Sequence, residues 1–122
     1  MVRIILVRHG ETKWNIEGRY QGQEDTELSE RGLEQGRLLA QGLKDVPIDV
    51  FVSSPLKRSF MTASFCAELH GNTVAKDERL TEINHGLWEG RLAGDIEAEY
   101  PDEFAAWHTQ PHTVQMPGEG GE

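Results

Sequence analysis

A run of four aliphatic residues, Ile4–Val7, is followed at once by Arg8, His9 and Gly10, and this junction constrains the fold more than any other feature of the chain. Consecutive aliphatic residues, two of them isoleucine, predict a buried parallel strand. In open α/β sheets, ligands bind outside the carboxyl ends of the strands. We therefore expect a cation, an imidazole and a glycine at the sheet edge where such folds carry out chemistry.

The three residues after the strand suit one kind of reaction. A neutral imidazole is a competent nucleophile, as His9 would be. A neighbouring guanidinium such as Arg8 can hold a phosphate through two parallel hydrogen bonds. Gly10 allows close backbone approach or a positive φ. Together they predict phosphoryl transfer to histidine, although an Arg-His-Gly triplet alone is weak evidence.

Length and composition limit the alternatives. The chain has 122 residues, which corresponds to a single domain over residues 1–122. Its net charge of −9 argues against nucleic acid and anionic membranes as general partners. An anionic substrate therefore requires a local basic pocket.

Cysteine usage and hydropathy indicate the compartment. The single cysteine, Cys66, excludes an internal disulfide and fits a reducing environment, and its expected role is that of a small core residue. We find no signal-peptide pattern and no run near the roughly 18 apolar residues of a membrane span. These features predict a cytoplasmic protein.

Alternating elements predict the fold class. Strands are expected at 4–7, 49–52 and 73–75, with a helix that Ser29 caps between the first two and a helix after Ser54 and Pro55 between the last two. On the second helix, Leu56, Phe60, Ala63 and Ala67 share one face. The segment 11–27 and the tail 110–122 are predicted as loops, with short helices at 92–100 and 102–107. This order is typical of an α/β fold with a mostly parallel sheet.

Arg58 is the second candidate for the site. It follows the second strand, in the first turn of the next helix, where free N–H groups and the helix dipole favour an anion. Its neighbour Lys57 is the better candidate for a solvated surface cation.

Glu82 is the third candidate. It follows the third strand and so also comes from the carboxyl edge of the sheet. Phosphoryl transfer from a monoester leaves an alkoxide that needs a proton, and a carboxylic acid can supply it. Glu89, beside Trp88, is a competing acid, and a solvated charge is the ordinary alternative for either glutamate.

Several motifs together resemble one family. The segments Leu6–Thr12, Trp14-Asn15, Ser53–Arg58 with Thr62-Ala63, and Glu82 with Gly86–Gly90 are similar to the histidine phosphatase superfamily, also called the phosphoglycerate mutase-like family. The motifs are numerous and ordered, and the resemblance extends from Arg3 to about Glu122. It implies a three-layer α/β/α fold with a mostly parallel sheet.

The resemblance also implies roles. His9 would be the phosphorylated nucleophile, and Glu82 would be the proton donor and later the base for water. Arg8, Arg58 and Asn15 would bind the phosphoryl oxygens, and Gln21 and Gly22 align with the loop that contacts the rest of the substrate. The implied partner is a small phosphorylated metabolite, with no metal and no cofactor.

One family feature is missing from this sequence. The family carries a second pocket histidine late in the chain, and none of His70, His85, His108 and His112 stands in a matching context. The segment Met116–Glu122 resembles a Pro-Gly-Gly-Glu-like stretch cut short. The chain is therefore expected to correspond to the N-terminal three-fifths of a family member, with a sheet that is incomplete at its C-terminal end and an edge that invites pairing with a second copy.

Three functions remain open. The compact Gly86–Gly90 segment favours a phosphatase, similar to alpha-ribazole or broad-specificity phosphatases. A phosphoglycerate mutase-type isomerase, which returns the phosphoryl group to another hydroxyl, is the alternative within the family. The non-enzymatic alternative is a fragment that binds anions without catalysing a reaction.

Overall fold

The computed structural model describes residues 1–122. Its centre is a β–α–β unit flanked by one long helix on the N-terminal side and two short helices on the C-terminal side. The elements are α1 (Lys13–Glu17), α2 (Glu30–Leu43), β1 (Phe51–Ser53), α3 (Lys57–Leu69), β2 (Val74–Lys76), α4 (Ala93–Glu99) and α5 (Pro101–Thr109). Short 3₁₀ turns lie at Glu78–Leu80, Gly86–Trp88 and Pro111–Thr113.

The two strands pair in parallel, as predicted. Phe51 lies opposite Val74 and Ser53 opposite Lys76, and α3 connects the two strands. Each strand has three residues and lies one or two positions later than expected. Since parallel neighbours require a crossover connection, α3 and the sheet form one packed unit.

The predicted helix start at Ser29 is confirmed. The Ser29 side chain accepts a hydrogen bond of 3.1 Å from the Gly32 N–H, and α2 begins at Glu30. Gly36 of this helix is buried, and a Cβ there would overlap the ring of Phe65. The glycine therefore permits the close packing of α2 on α3.

Helix α3 differs from the prediction at its start. Leu56 is the N-cap residue, so Pro55 precedes the helix, and the Ser54 hydroxyl accepts from the Leu56 N–H at 3.3 Å. The Lys57 N–H donates to the Asp25 carboxylate at 2.7 Å. A carboxylate of the chain therefore already occupies part of the anion-binding position expected at this helix end.

The buried face of α3 also differs. Arg58, Thr62, Cys66 and Ala67 are buried, whereas Phe60 and Ala63 are only half-buried. Arg58 and Thr62 are one helical turn apart and therefore share a face. Contacts with polar groups of the N-terminal loops, described below, outweigh the apolar spacing in orienting this helix.

The prediction of a buried strand at Ile4–Val7 is wrong for this structure. These residues belong to no strand, and residues 1–9 form no backbone–backbone hydrogen bond. Ile4 is 76% exposed and Leu6 is 92% exposed. The reason is that no other strand lies alongside to pair with the backbone and cover the side chains.

The largest hydrophobic core lies in the C-terminal half. Trp88, Ile96 and Met116 are buried, and five partly buried residues pack around them: Tyr20, Ile83, Tyr100, Phe104 and Trp107. The predicted short helices are confirmed as α4 and α5, and the tail is irregular apart from one 3₁₀ turn. Met116 lies in this tail but belongs to the core, so the tail is held in place by packing at this residue.

The segment 11–27 contains a helix that the sequence analysis missed. Thr12 and Asn15 form a reciprocal cap on α1, with bonds of 3.1 Å and 3.0 Å between side chain and backbone. None of the helices in the chain is long and apolar enough to cross a membrane.

Candidate active site

Four of the residues predicted for the site line one cleft. Arg8 and His9 come from the N-terminal segment, Arg58 from α3, and Glu82 from the loop after the 3₁₀ turn at 78–80. The cleft has a volume of about 280 Å³, near the lower limit for small-molecule sites. The other lining residues are Val7, Ser54, Leu56, Ser59, Leu80 and Thr81.

One nitrogen of the His9 imidazole is fixed by the backbone. Its Nδ1 lies 2.6 Å from the carbonyl oxygen of Gly10. A carbonyl can only accept, so Nδ1 carries the proton in this contact. In the neutral ring, Nε2 then holds the lone pair, and Nε2 has no hydrogen-bond partner in the structure.

The surroundings of His9 favour the neutral imidazole. Burial lowers its pKa most, and the positive charges of Arg58 and Arg8 act in the same direction. The hydrogen bond to the Gly10 carbonyl and the charge of Glu82 act in the opposite direction. The net lowering keeps the nucleophilic form populated at neutral pH.

Arg58 is held by carbonyl groups of the loop before α2. Its Nη1 donates to the Glu24 carbonyl and its Nη2 to the Gly22 carbonyl, both at 2.6 Å, and Nη1 also lies 3.3 Å from Thr26 Oγ1. Only 2% of the residue is exposed, and its Nε is buried with no partner. The guanidinium is therefore rigidly placed, and two of its five N–H groups, on Nε and Nη2, have no partner.

Burial and charge act in opposite directions on this group. Burial lowers the pKa of Arg58, whereas the negative charges of Glu82, Asp25 and Glu89 raise it. A guanidinium remains charged under all ordinary conditions. Arg58 therefore brings a permanent positive charge to the cleft of a chain whose net charge is −9.

Arg8 and Glu82 are less constrained. Arg8 is exposed and forms no ion pair within 4 Å. Glu82 is exposed as well, and its Oε1 accepts from the Ile83 N–H at 3.0 Å. Both side chains can therefore turn toward a ligand in the cleft without breaking a buried network.

The loop that carries His9 is tied to both long helices. The Gly10 N–H donates to Thr62 Oγ1 at 3.1 Å, and Thr62 donates to the Arg58 carbonyl at 2.7 Å. A Cβ on Gly10 would lie 2.7 Å from the Gly32 carbonyl oxygen. Of the two reasons for a glycine here, the structure shows close approach and not a positive φ.

Three other predicted residues do not line the cleft. Asn15 is exposed and its Oδ1 accepts from the Thr12 N–H, so only its Nδ2 is unbonded. Gln21 Oε1 accepts from the hydroxyls of Thr12 and Thr26, both at 2.6 Å. Gly22 is buried and supports Arg58 through its carbonyl. In this structure, Gln21 and Gly22 organise the loop instead of facing the cleft.

The groups that hold Arg58 were not among the predicted site residues, apart from Gly22. Thr62 was visible as part of a motif, and its spacing of four residues from Arg58 places it one turn along the same face. The Glu24 carbonyl and Thr26 carried no comparable signal. Backbone carbonyls are present at every residue, so only the folded loop shows which of them accept from Arg58.

None of the four remaining histidines lines the cleft. His85 is buried in the aromatic core, stacked on Tyr20 at 5.2 Å and edge-on to Trp107 at 5.4 Å. Burial lowers the pKa of His85. His108 and His112 are exposed, and both ring nitrogens of His70 contact backbone carbonyls. No three His, Cys, Asp or Glu side chains come together as a metal-binding group.

The cleft therefore groups an imidazole with a free Nε2, a buried arginine and a carboxylate within one α/β fold. The sequence model of the histidine phosphatase superfamily (branch 1) matches residues 4–122. The chain therefore belongs to the histidine phosphatase superfamily.

Relatives of known name support this membership. Over 118 residues the chain is 48% identical to phosphoserine phosphatase 1 of Hydrogenobacter thermophilus, covering 97% of this chain and 56% of the relative. It is 41% identical over 110 residues to a Yersinia pestis protein named probable phosphoglycerate mutase GpmB, covering 90% and 49%.

Solved structures support the fold. The alpha-ribazole phosphatase of Shigella flexneri superposes with a TM-score of 0.80 at 33% identity, covering 95% of this chain and 56% of that one. The predicted fold class is thereby confirmed. The chain spans about half the length of the relatives that it matches.

Proposed function

We propose that this chain carries the nucleophilic part of a phosphomonoester phosphatase that works through a phosphohistidine. One observation carries the proposal: the Gly10 carbonyl fixes Nδ1 of His9, which leaves Nε2 as the free nucleophile in a cleft lined by Arg58 and Glu82. Membership of a family that contains phosphatases and mutases is shown by the family match and the relatives described above.

In the first step, His9 Nε2 attacks the phosphorus of the substrate. The Nε2–P bond forms and the P–O bond to the leaving group breaks. Arg8 and Arg58 neutralise charge on the three phosphoryl oxygens. Asn15 lies outside the cleft in this structure, so its unbonded Nδ2 would contribute only after its side chain moves toward the phosphoryl group. Glu82, in its protonated form, gives its proton to the departing oxygen.

In the second step, water attacks the phosphohistidine. The Glu82 carboxylate accepts a proton from this water, a new P–O bond forms and the Nε2–P bond breaks. Inorganic phosphate leaves, and His9 returns to its neutral form with the proton still on Nδ1. The proposed chemistry needs neither a metal nor a cofactor, because the guanidinium groups stabilise the charge.

The proposed substrate is a small phosphorylated metabolite. An alpha-ribazole phosphatase-like or a broad-specificity activity fits the compact Gly86–Gly90 segment and the small cleft. The names of the relatives point to several different phosphomonoesters, so the proposal extends to the class and not to one compound.

Two alternatives have specific support. The resemblance to a protein named as a mutase favours an isomerase that returns the phosphoryl group to the same substrate. The unpaired, exposed backbone at Ile4–Val7 favours an anion-binding fragment without turnover, because it supports His9 weakly.

We also propose that residues 1–122 form one domain that corresponds to the N-terminal part of a family member. A second pocket histidine would come from sequence outside these residues. The use of a single, buried cysteine is consistent with the reducing environment of the cytoplasm.

The test is acid-labile phosphate on His9. The protein is incubated with an aryl phosphate and quenched, and the modified residue is located by mass spectrometry at neutral and acid pH. The expected result is a phosphohistidine in the wild type and in His112→Ala, an exposed control, and none in His9→Ala. Labelling that persists in His9→Ala would place the nucleophile elsewhere, and unlabelled wild type that still binds phosphate would favour the anion-binding fragment.

A further inference from the structure

Glu89 lies outside the cleft, yet it is hydrogen-bonded to the loop at residues 22–24 that holds Arg58. Its Oε1 accepts from the Gln23 N–H at 2.8 Å and from the His85 N–H at 3.1 Å. The carboxylate is half-buried and forms no ion pair within 4 Å. One oxygen atom thus joins two loops that are more than 60 residues apart in the sequence.

The loop that Glu89 holds is the one that holds Arg58. Gln23 lies between Gly22 and Glu24, and the carbonyls of these two neighbours accept from the Arg58 guanidinium at 2.6 Å. The Gln23 N–H and the Gly22 carbonyl belong to one planar peptide unit, so fixing this N–H also fixes the direction of the Gly22 carbonyl and restrains the residue that follows. The guanidinium position depends on these carbonyls, because Arg58 forms no ion pair.

The backbone at Gly22 is shaped to admit this carboxylate. Gly22 has φ of 53°, and a Cβ at this position would overlap the carboxylate of Glu89. The side chain thus packs directly on the peptide that supports Arg58. The negative charge of Glu89 also raises the pKa of Arg58, against the lowering by burial.

We propose that Glu89 is a positioning residue for the phosphoryl-binding Arg58, acting through the backbone of residues 22–24. This inference rests on the proposed function and adds to it. Glu89 is then not a second acid: its Oε1 organises N–H groups, while Glu82 is the carboxylate that lines the cleft.

The first test measures placement without turnover. Hydrogen exchange of the Gln23 amide and of the Arg58 Nε–H is followed by NMR in the wild type, Glu89→Ala, Glu89→Gln and the exposed control Glu97→Ala. Glu89→Ala should speed exchange at both sites by about tenfold, the equivalent of one lost hydrogen bond. Glu89→Gln should restore most of the protection, since its amide oxygen can still accept. Unchanged exchange in Glu89→Ala would overturn the inference, whether or not the protein is a phosphatase.

The second test separates positioning from acid catalysis. Inorganic phosphate affinity and turnover of an alkyl and an aryl phosphate are compared across the same variants. Glu89→Ala should weaken phosphate binding and reduce kcat/KM by the same factor, about tenfold, for both esters. A loss confined to the alkyl ester would show that Glu89 acts as an acid, and equal loss in Glu89→Gln and Glu89→Ala would show that accepting from the N–H groups is not its role. If the wild-type protein binds phosphate but turns over neither ester, the proposed function is rejected. The inference about Glu89 is then decided by the phosphate affinity and the hydrogen exchange of the variants.

Discussion

Thr62 Oγ1 accepts a hydrogen bond from the Gly10 N–H at 3.1 Å, across 52 positions of sequence. The same hydroxyl donates to the Arg58 carbonyl at 2.7 Å. Thr62 is buried, so this pair of bonds connects the loop of His9, the proposed nucleophile, to the helix of Arg58 without competition from water. This hydroxyl group is therefore one of the contacts that set the relative placement of His9 and Arg58.

Replacing Thr62 by valine preserves the shape of the side chain and removes this connection. We expect Thr62→Val to destabilise the protein by about 1–3 kcal/mol, because a buried N–H is left without a partner. Phosphohistidine formation should slow as well. Thr109→Val is a matched control, since the Thr109 hydroxyl donates to the carbonyl four residues earlier but is exposed. Denaturant unfolding and the rate of labelling check the prediction, and equal behaviour of the two variants would contradict it.

Arg58→Lys keeps the charge and loses the planar arrangement of donors. An ammonium group carries its three donors on one nitrogen, so it cannot occupy the separate positions from which Nη1 and Nη2 bond the Glu24 and Gly22 carbonyls. We expect a loss of about 2–4 kcal/mol in transition-state stabilisation, measured from kcat/KM. Arg79→Lys, at an exposed ion pair, is the control. An unchanged rate would remove Arg58 from the site.

Glu82→Gln should discriminate between leaving groups. An alkyl phosphate needs a proton on its departing oxygen, whereas the phenolate of an aryl phosphate leaves without help. We therefore expect kcat to fall much further for the alkyl ester, with Glu97→Gln as an exposed control. Equal losses on the two esters would mean that Glu82 only binds or orients the substrate.

His9 and His70 should titrate on opposite sides of the ordinary imidazole pKa of about 6.5. Burial lowers the pKa of His9, whereas hydrogen bonds to the Cys66 and Val46 carbonyls raise the pKa of His70. The stabilisation from protonated His70 should therefore be complete below its unfolded pKa and disappear as the pH rises through the folded value. NMR titration of the two rings is the measurement, and a higher midpoint for His9 than for His70 would contradict the prediction.

Residues 1–122 expressed alone should self-associate through the N-terminal segment. Leu6 is 92% exposed and its backbone is unpaired, which leaves an apolar edge open to a second copy. Leu6→Lys should reduce association more than Leu38→Lys, which removes an exposed leucine from α2. Light scattering across a concentration series measures it. A monomeric and fully active wild-type chain would contradict this prediction and the need for a second pocket histidine.

Several elements could be predicted because their signals are local. The Ser29 cap of α2, the parallel pairing around α3 and the short helices before and after Pro101 follow from capping residues, apolar spacing and proline positions. The grouping of His9, Arg58 and Glu82 followed from a topological rule, since each residue was placed after a predicted strand. The structure places all three in one cleft.

Other predictions were wrong because the features concerned depend on contacts between distant parts of the chain. Ile4–Val7 has the composition of a strand, but a strand also requires neighbours, and none lies beside it here. The apolar spacing of α3 predicted one buried face, whereas Arg58 and Thr62 are buried because distant loop groups bond to them.

The sequence by itself determined the chemistry that this chain can offer: an imidazole, two guanidinium groups and a carboxylate, each after a predicted strand, in a chain that is otherwise acidic. Only the tertiary structure decided how these groups are held. The Gly10 carbonyl sets the His9 tautomer, and the carbonyls of Gly22 and Glu24 fix Arg58. Every residue carries the same backbone donors and acceptors, so a sequence cannot identify which of them meet; the approach of two loops and two helices makes that selection.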